Sequence, residues 1–253
     1  LFWTLGTLLL ATSAAAKPKE IKLSSPDGRI AVDFSLGQTL GYSVSLDGKT
    51  LVSDPAIALR LQDGTVLGQN PRLAKQKTRE ADETVEAPFQ RNPQMRNHYN
   101  ELDLKMKGGY GVIFRAYDNG VAYRFYTQMK DSIVIAAEDL NPTFPADCKS
   151  WLAYSTNPKK PMAMAFQNYF TEAPLSQADA QQLAFPPFAV EIGGAAKVVF
   201  AESDLEAYPG LFFRPQPGRH GVQGVFPGYP EKMGVYPGRV QDYVETAAEN
   251  CIA

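Results

Sequence analysis

From residue 30 onward, apolar and polar positions alternate along most of the chain, with the period of two that a sheet with one buried face imposes. IAVDFSL (Ile30–Leu36) alternates directly after the turn residues SPDG. In GYSVSLDGKTLV two alternating runs flank Asp47-Gly48, and in AIALRLQDGTVL they flank Asp63-Gly64. Both read as hairpins closed by the mirror-image turns that Asp-Gly favours. GVIFRAYDNGVAYRFYT is the clearest hairpin, with Asn119-Gly120 expected at its tip. SIVIAAE, KVVFAE and GVQGVFP supply further strands. Helical periodicity is nearly absent. One short helix is expected in LSQADAQQLA, with Ser176 as N-cap and Asp179 three residues on, an acidic variant of the capping box. Many short strands between Gly/Pro turns predict an all-β antiparallel sandwich or barrel, and the length favours a large sandwich with long connections.

The two ends break this pattern. LFWTLGTLLLATSAAA carries no charge and ends in small residues, which predicts a signal peptide over residues 1–16. Its apolar stretch is shorter than the roughly 20 residues that span a bilayer. No other segment is apolar enough to cross, so the expectation is an exported protein, free or held at a surface, with no membrane span after the signal is removed. The β domain is expected over residues 17–238. Residues 239–253 show no closing strand pattern and read as the start of a linker to a further domain.

Composition narrows the class further. Of 253 residues, 44% are hydrophobic and 21% charged, which excludes a disordered chain. The formal net charge is -2 and no basic stripe occurs, so no nucleic-acid partner is expected. The two cysteines, Cys148 and Cys251, are compatible with a disulfide in an exported protein but do not require one.

The densest cluster of polar types is RNHYNEL (Arg96–Leu102), at the mouth of a strand. Two readings compete. In one, Arg96, Asn97, His98, Asn100 and Glu101 bind substrate; in the preferred one they tie a corner together. A two-residue turn at Asn119-Gly120 sets Arg115 opposite Arg124. Like charges so placed need a carboxylate between them, and Glu101 and Asp103 are the candidates. Tyr117 and Tyr126 are expected to pack on the arginine planes. His98 and His220 are the chain's only histidines, and nothing in their spacing selects them for acid–base work. Glu202, Asp204 and Glu206 alternate, as calcium ligands sometimes do, but solvated acids at a strand end are the preferred reading. Metalloprotease, nucleophile-elbow, dinucleotide, P-loop and CxxC motifs are absent from the sequence.

RNHYNEL, FRAYDNGVAYRFY, PLSQADAQQL and VVFAESDLEAYPG, taken in this order, resemble the N-terminal domain of glycoside hydrolase family 97, exported bacterial α-glucosidases and α-galactosidases. The resemblance implies a β-supersandwich similar to galactose mutarotase. It implies that a (β/α)8 barrel follows and carries the catalytic carboxylates, so that no catalytic residue of the family lies in this chain. It further implies an oligosaccharide substrate and a calcium ion to which this domain lends a Glu from the long loop WLAYSTNPKKPMAMAFQNYFTEAPLSQ. That acid falls near Gln167 and Asn168, which carry no charge, with Glu172 nearby as a substitute ligand. Two alternatives stay open. One is a stand-alone carbohydrate-binding module, with Trp151, Tyr154, Tyr169 and Phe170 as its aromatic platform. The other is an aldose-epimerase-like enzyme working through His98.

Overall fold

The computed structural model describes residues 21–252 apart from 90, 158–159, 163–166, 195, 204, 207 and 239–241. The expected signal peptide therefore lies outside the described residues. The first half of the chain forms β1 (Ile21–Ser24), β2 (Ile30–Leu36), β3 (Leu40–Leu46), β4 (Lys49–Leu61), β5 (Val66–Leu67), β6 (Leu73–Glu86), β7 (Gln94–Met106), β8 (Tyr110–Tyr117), β9 (Gly120–Thr127) and β10 (Ile135–Asp139). The second half forms β11 (Lys149–Tyr154), β12 (Phe170–Pro174), β13 (Ala184–Ile192), β14 (Ala196–Phe200), β15 (Phe212–Gln216), β16 (Gly221–Val225), β17 (Pro230–Val235) and β18 (Asp242–Ala247).

All the strand pairs are antiparallel. One sheet runs β1-β2-β3-β4-β10, and a second runs β6-β7-β8-β9. Their alternate residues meet in a core that includes Val32, Leu40, Ile57, Leu104, Val112 and Phe114. Phe114 is completely buried and packs on Phe34, Tyr42 and Tyr123 with ring centroids 4.7, 5.3 and 5.1 Å away. Truncating such a side chain costs about 3–5 kcal/mol. A third sheet, β12-β11-β13-β15-β16, with β14 beside β13, carries a second core around Leu152, Phe188, Val190 and Phe213.

The long strand β4 joins the two halves. Ile57, Leu59 and Leu61 pack in the first core while Leu51 and Val52 reach the second. Thr143 bridges Ser53 of β4 to Gly221 of β16. Gly221 is required there, because a Cβ would lie 2.5 Å from the Pro142 carbonyl oxygen. Tyr123 packs against both cores. The result is a large antiparallel β-supersandwich: the alternation predicted the antiparallel sandwich, and the family resemblance its supersandwich form.

Five local expectations fare differently. Asp47 and Gly48 take φ of 48° and 80°, the mirror-image turn that Asp-Gly predicts. At Asp63-Gly64 only Gly64 has positive φ, and the Leu61 N–H bonds to the Thr65 carbonyl, so three residues rather than two close that loop. The hairpin at Asn119-Gly120 turns one residue earlier, at Asp118-Asn119, with Tyr117 paired to Gly120. Arg115 therefore faces Ala122, and Arg124 faces Ile113. The reason is long-range: an Asp118 carboxylate oxygen accepts the Asp27 N–H at 2.9 Å, which fixes Asp118 at the corner. The helix expected over LSQADAQQLA is only a 3-10 turn at Leu175–Gln177. Ser176 does not cap it, because its N–H and hydroxyl both donate to Asp147. At the C-terminal end, Asp242–Ala247 form a strand where no strand pattern was expected, and Ile252 is buried with its N–H on the Ile135 carbonyl.

Candidate functional site

β7 places RNHYNEL where the four-stranded sheet ends. Tyr99–Met106 pair with both β6 and β8, whereas Gln94–His98 pair with β6 alone. Beyond Tyr99 the sheet thus narrows to a two-stranded arm. Leu102, Leu104 and Met106 point into the core, and Arg96, His98 and Asn100 continue that face past its edge. Asn100 donates to the Ser24 carbonyl at 2.9 Å, tying the arm's root to β1. Arg96 forks onto Asp82 through two bonds of 2.7 Å. His98 Nε2 lies 3.2 Å from Glu80, and Asn97 on the other face donates to Glu83 at 2.8 Å.

Glu101 sits at the centre of a row of three paired residues, Arg79–Glu101–Arg115, across β6, β7 and β8. Arg79 binds both its oxygens, at 2.6 and 2.9 Å, and Arg115 Nε binds one at 2.7 Å. Tyr99 forms the floor: the Arg115 guanidinium lies 4.4 Å from its ring centroid, and Arg79 donates to its hydroxyl at 3.0 Å. Tyr117 packs beside Tyr99 at 5.2 Å. The expectation that an acid bridges two arginines is met by Glu101, but its second arginine is Arg79, not Arg124. Asp103 instead accepts the Tyr126 hydroxyl at 2.7 Å. Hydrogen bonds from Arg79, then Arg115, hold the Glu101 carboxyl below the usual range.

This geometry limits the chemistry. An acid held ionised and accepting three hydrogen bonds is not poised to exchange protons near neutral pH. The polar groups of RNHYNEL mostly bind partners on β6, β8 and β1, which favours the corner reading over a sugar contact.

The long loop after β11 tests the calcium expectation. Glu172 pairs with Trp151 across β11 and β12, and its two oxygens accept from Lys149 Nζ at 2.7 Å and Trp151 Nε1 at 3.0 Å. Asn168 donates to the Tyr154 carbonyl at 2.8 Å while its own oxygen accepts the Tyr169 N–H at 2.8 Å. Gln167 is exposed. A cation held against a lysine ammonium is electrostatically disfavoured, so Gln167, Asn168 and Glu172 as placed do not fit calcium. Among the described residues no three His, Cys, Asp or Glu side chains converge on a metal-sized space. Of Glu202, Asp204 and Glu206, Asp204 lies outside the described residues. Glu202 is not the solvated acid expected, for it accepts the Leu211 N–H at 2.8 Å and burial raises its pKa.

The aromatic platform is also incomplete. Tyr154 turns inward, and its hydroxyl accepts the Asp179 N–H at 3.0 Å. Lys197 covers the Trp151 ring with its Nζ 4.9 Å from the centroid. Tyr169 and Phe170 remain exposed.

Two acids, Asp54 fully buried and Glu138 half-buried, carried no signal in the sequence. Glu138 accepts the Tyr208 hydroxyl at 2.7 Å, and burial pushes its pKa up to about 7. Asp54 accepts the Ala56 and Asn141 N–H groups, and burial pushes it up to about 6. Both sit inside the protein near Tyr123, where the two cores meet. Among the described residues no helix is long and apolar enough to cross a membrane.

Comparison with known proteins adds the following. The family described as "Glycosyl-hydrolase 97 N-terminal" matches residues 23–247. A retaining alpha-galactosidase of Bacteroides thetaiotaomicron is 33% identical over 229 residues, covering 88% of this chain and 35% of the relative. A glycoside hydrolase family 97 enzyme from a Pseudoalteromonas species, solved with acarbose, superposes with a TM-score of 0.71 at 18% identity, covering 83% of this chain and 32% of that one. A beta-arabinopyranosidase gives a TM-score of 0.74 at 20% identity, over 83% of this chain and 36% of its own. The chain spans about a third of the length of the relatives it matches.

Proposed function

Since this chain belongs to the glycosyl-hydrolase 97 N-terminal family, we propose that it is the non-catalytic front domain of an exported α-glycosidase. It packs on a catalytic domain that follows it and shapes the sugar pocket from outside. The observation that carries this reading is coverage: the match to the alpha-galactosidase takes in 88% of this chain but 35% of the relative. The remaining two-thirds has room for a catalytic barrel. The substrate class proposed is an oligosaccharide with α-galactosidic or α-glucosidic bonds. The self-satisfied ladder of RNHYNEL supports a role in building a rigid scaffold, since each of its charges already has a partner in the chain. Export rests on the leader-like residues 1–16.

The test compares the 253-residue chain with the whole gene product on p-nitrophenyl α-galactoside and α-glucoside. The expected result is hydrolysis by the whole product and none by the chain alone. Turnover by the chain alone, or a whole gene product inert on every α-glycoside tried, overturns the reading.

A further inference from the structure

The ribbon β17–β18 turns three aliphatic side chains outward. In an ordinary half-exposed ribbon the apolar side faces the protein and the polar side faces water. Here Met233 and Val244 are directly opposite each other, and Val235 is two residues along on the same side. They are 54%, 41% and 62% exposed. The other side holds Gly234 and Tyr243, whose ring lies so close over Gly234 that a Cβ there would be 2.6 Å away. Tyr243 also stacks on Tyr236 at 4.7 Å and lies under Lys160 of the long loop, 5.7 Å from the ring centroid. The Tyr243 side is therefore turned to the chain's own loop, and the side with Met233, Val235 and Val244, where Asp242 stands opposite Val235, is turned outward.

The ribbon is also held firmly at its base. Ala248 N–H bonds to the Tyr229 carbonyl, Tyr229 N–H to the Cys251 carbonyl, and Ile252 N–H to Ile135 of β10. A two-stranded ribbon is marginal by itself in water, and an outward aliphatic side adds nothing to its stability until something covers it. Such a patch marks a contact surface.

We propose that the Met233–Val235–Val244 side of this ribbon is the docking surface for the domain that follows in the family's enzymes. The inference rests on the proposed function. Two facts select this occupant. The family match ends at residue 247, the last residue of β18, the family is described as an N-terminal region, and the match takes in 35% of the alpha-galactosidase. A domain joined beyond the short segment that Ile252 ties to β10 is present at the high effective concentration that a short tether supplies, so a modest aliphatic contact suffices to hold it.

Methionine oxidation provides the test. Dilute hydrogen peroxide oxidises exposed thioethers, and mass spectrometry of peptides reads each site. Met95 on the β6–β7 arm is 52% exposed, close to Met233, and serves as internal reference together with a methionine peptide added to the mixture. In the 253-residue chain at low concentration, Met233 is expected to oxidise as fast as Met95. In the whole gene product its rate is expected to fall at least tenfold relative to the peptide. A gene product that hydrolyses α-glycosides but leaves Met233 as reactive as in the short chain overturns the docking surface and leaves the proposed function standing. Protection that appears in the short chain as its concentration rises, and is no greater in the whole product, identifies a second copy as the occupant and overturns the inference. A whole gene product no longer than this chain overturns both.

Discussion

Replacing Glu101 by Gln isolates the charge at the centre of the arginine row while keeping its volume. The native carboxylate accepts three hydrogen bonds, two from Arg79 and one from Arg115, and its side chain is only 10% exposed. A glutamine offers one oxygen and one NH2 group, so it satisfies one guanidinium and turns a donor toward the other. A hydrogen bond to a charged group contributes about 1.5–3 kcal/mol. Arg79 is 49% exposed and can turn to water, which recovers much of its loss. Arg115 lies against Tyr99 and is 34% exposed, so it recovers less. The net cost expected is about 2–3 kcal/mol. For a domain of this size each kcal/mol lowers the melting temperature by about 2–4 °C, giving a drop of about 4–12 °C. The assay is thermal unfolding followed by far-UV circular dichroism, with Asp82→Asn on the exposed arm as control. Asp82 also binds an arginine through two bonds, but both side chains are largely in water, and its substitution should leave the midpoint within error of the parent. A Glu101→Gln midpoint indistinguishable from the parent, or from Asp82→Asn, refutes the claim that the buried acid holds the row.

Two further predictions follow from the same bonds. Glu138 and Asp54 have their pKa raised by burial, to about 7 and about 6, so the folded protein holds their protons over a pH range where the unfolded chain releases them. Stability should therefore rise as pH falls from 8 toward 5, by at most on the order of 3 kcal/mol per group, and Glu138→Gln should flatten that slope. Below about pH 4 the trend reverses, because Glu101, Asp47, Asp82 and other carboxylates held below their usual range are protonated there; a melting temperature highest at pH 8 counts against this pair of acids. Since Glu172 is engaged by Lys149 and Trp151, adding millimolar calcium to this chain should leave its melting temperature unchanged; a rise lost on Glu172→Gln would show that the acid is available to the ion after all.

How much of this was legible in the sequence depends on how far apart the deciding partners lie. The Asp47-Gly48 turn is dictated by two adjacent residues, and it is found as expected. The tip at Asp118-Asn119 is shifted by a backbone N–H 91 residues away, and no local pattern reports it. Ser176 has the chemistry of a cap but spends it on Asp147, 29 residues back. Alternation also fails where neither face is buried. LAKQKTREADETVE is polar on both sides and gives no strand signal, yet it forms the 14-residue β6 and supplies Arg79 to Glu101.

That last case explains why RNHYNEL looked like a binding site. A strand inside a sandwich shows its purpose through buried apolar residues, whereas an arm that outgrows its core has only polar pairs to hold it together. Cross-strand ion pairs and amide bonds need Arg, Asn, His and Glu close in sequence, and those are the residue types that a sugar pocket also uses. The two readings are separated only by whether the partners belong to the chain itself, and for Arg96, Asn97, His98, Asn100 and Glu101 they do. The opposite sign marks the ribbon at the other end of the chain. There Met233, Val235 and Val244 are of the types that would be buried in an ordinary strand, and among the described residues they stand largely exposed. A polar cluster whose members nearly all bind within the chain, His98 Nδ1 excepted, thus points to scaffold, and an exposed aliphatic one points to where the rest of the enzyme should sit.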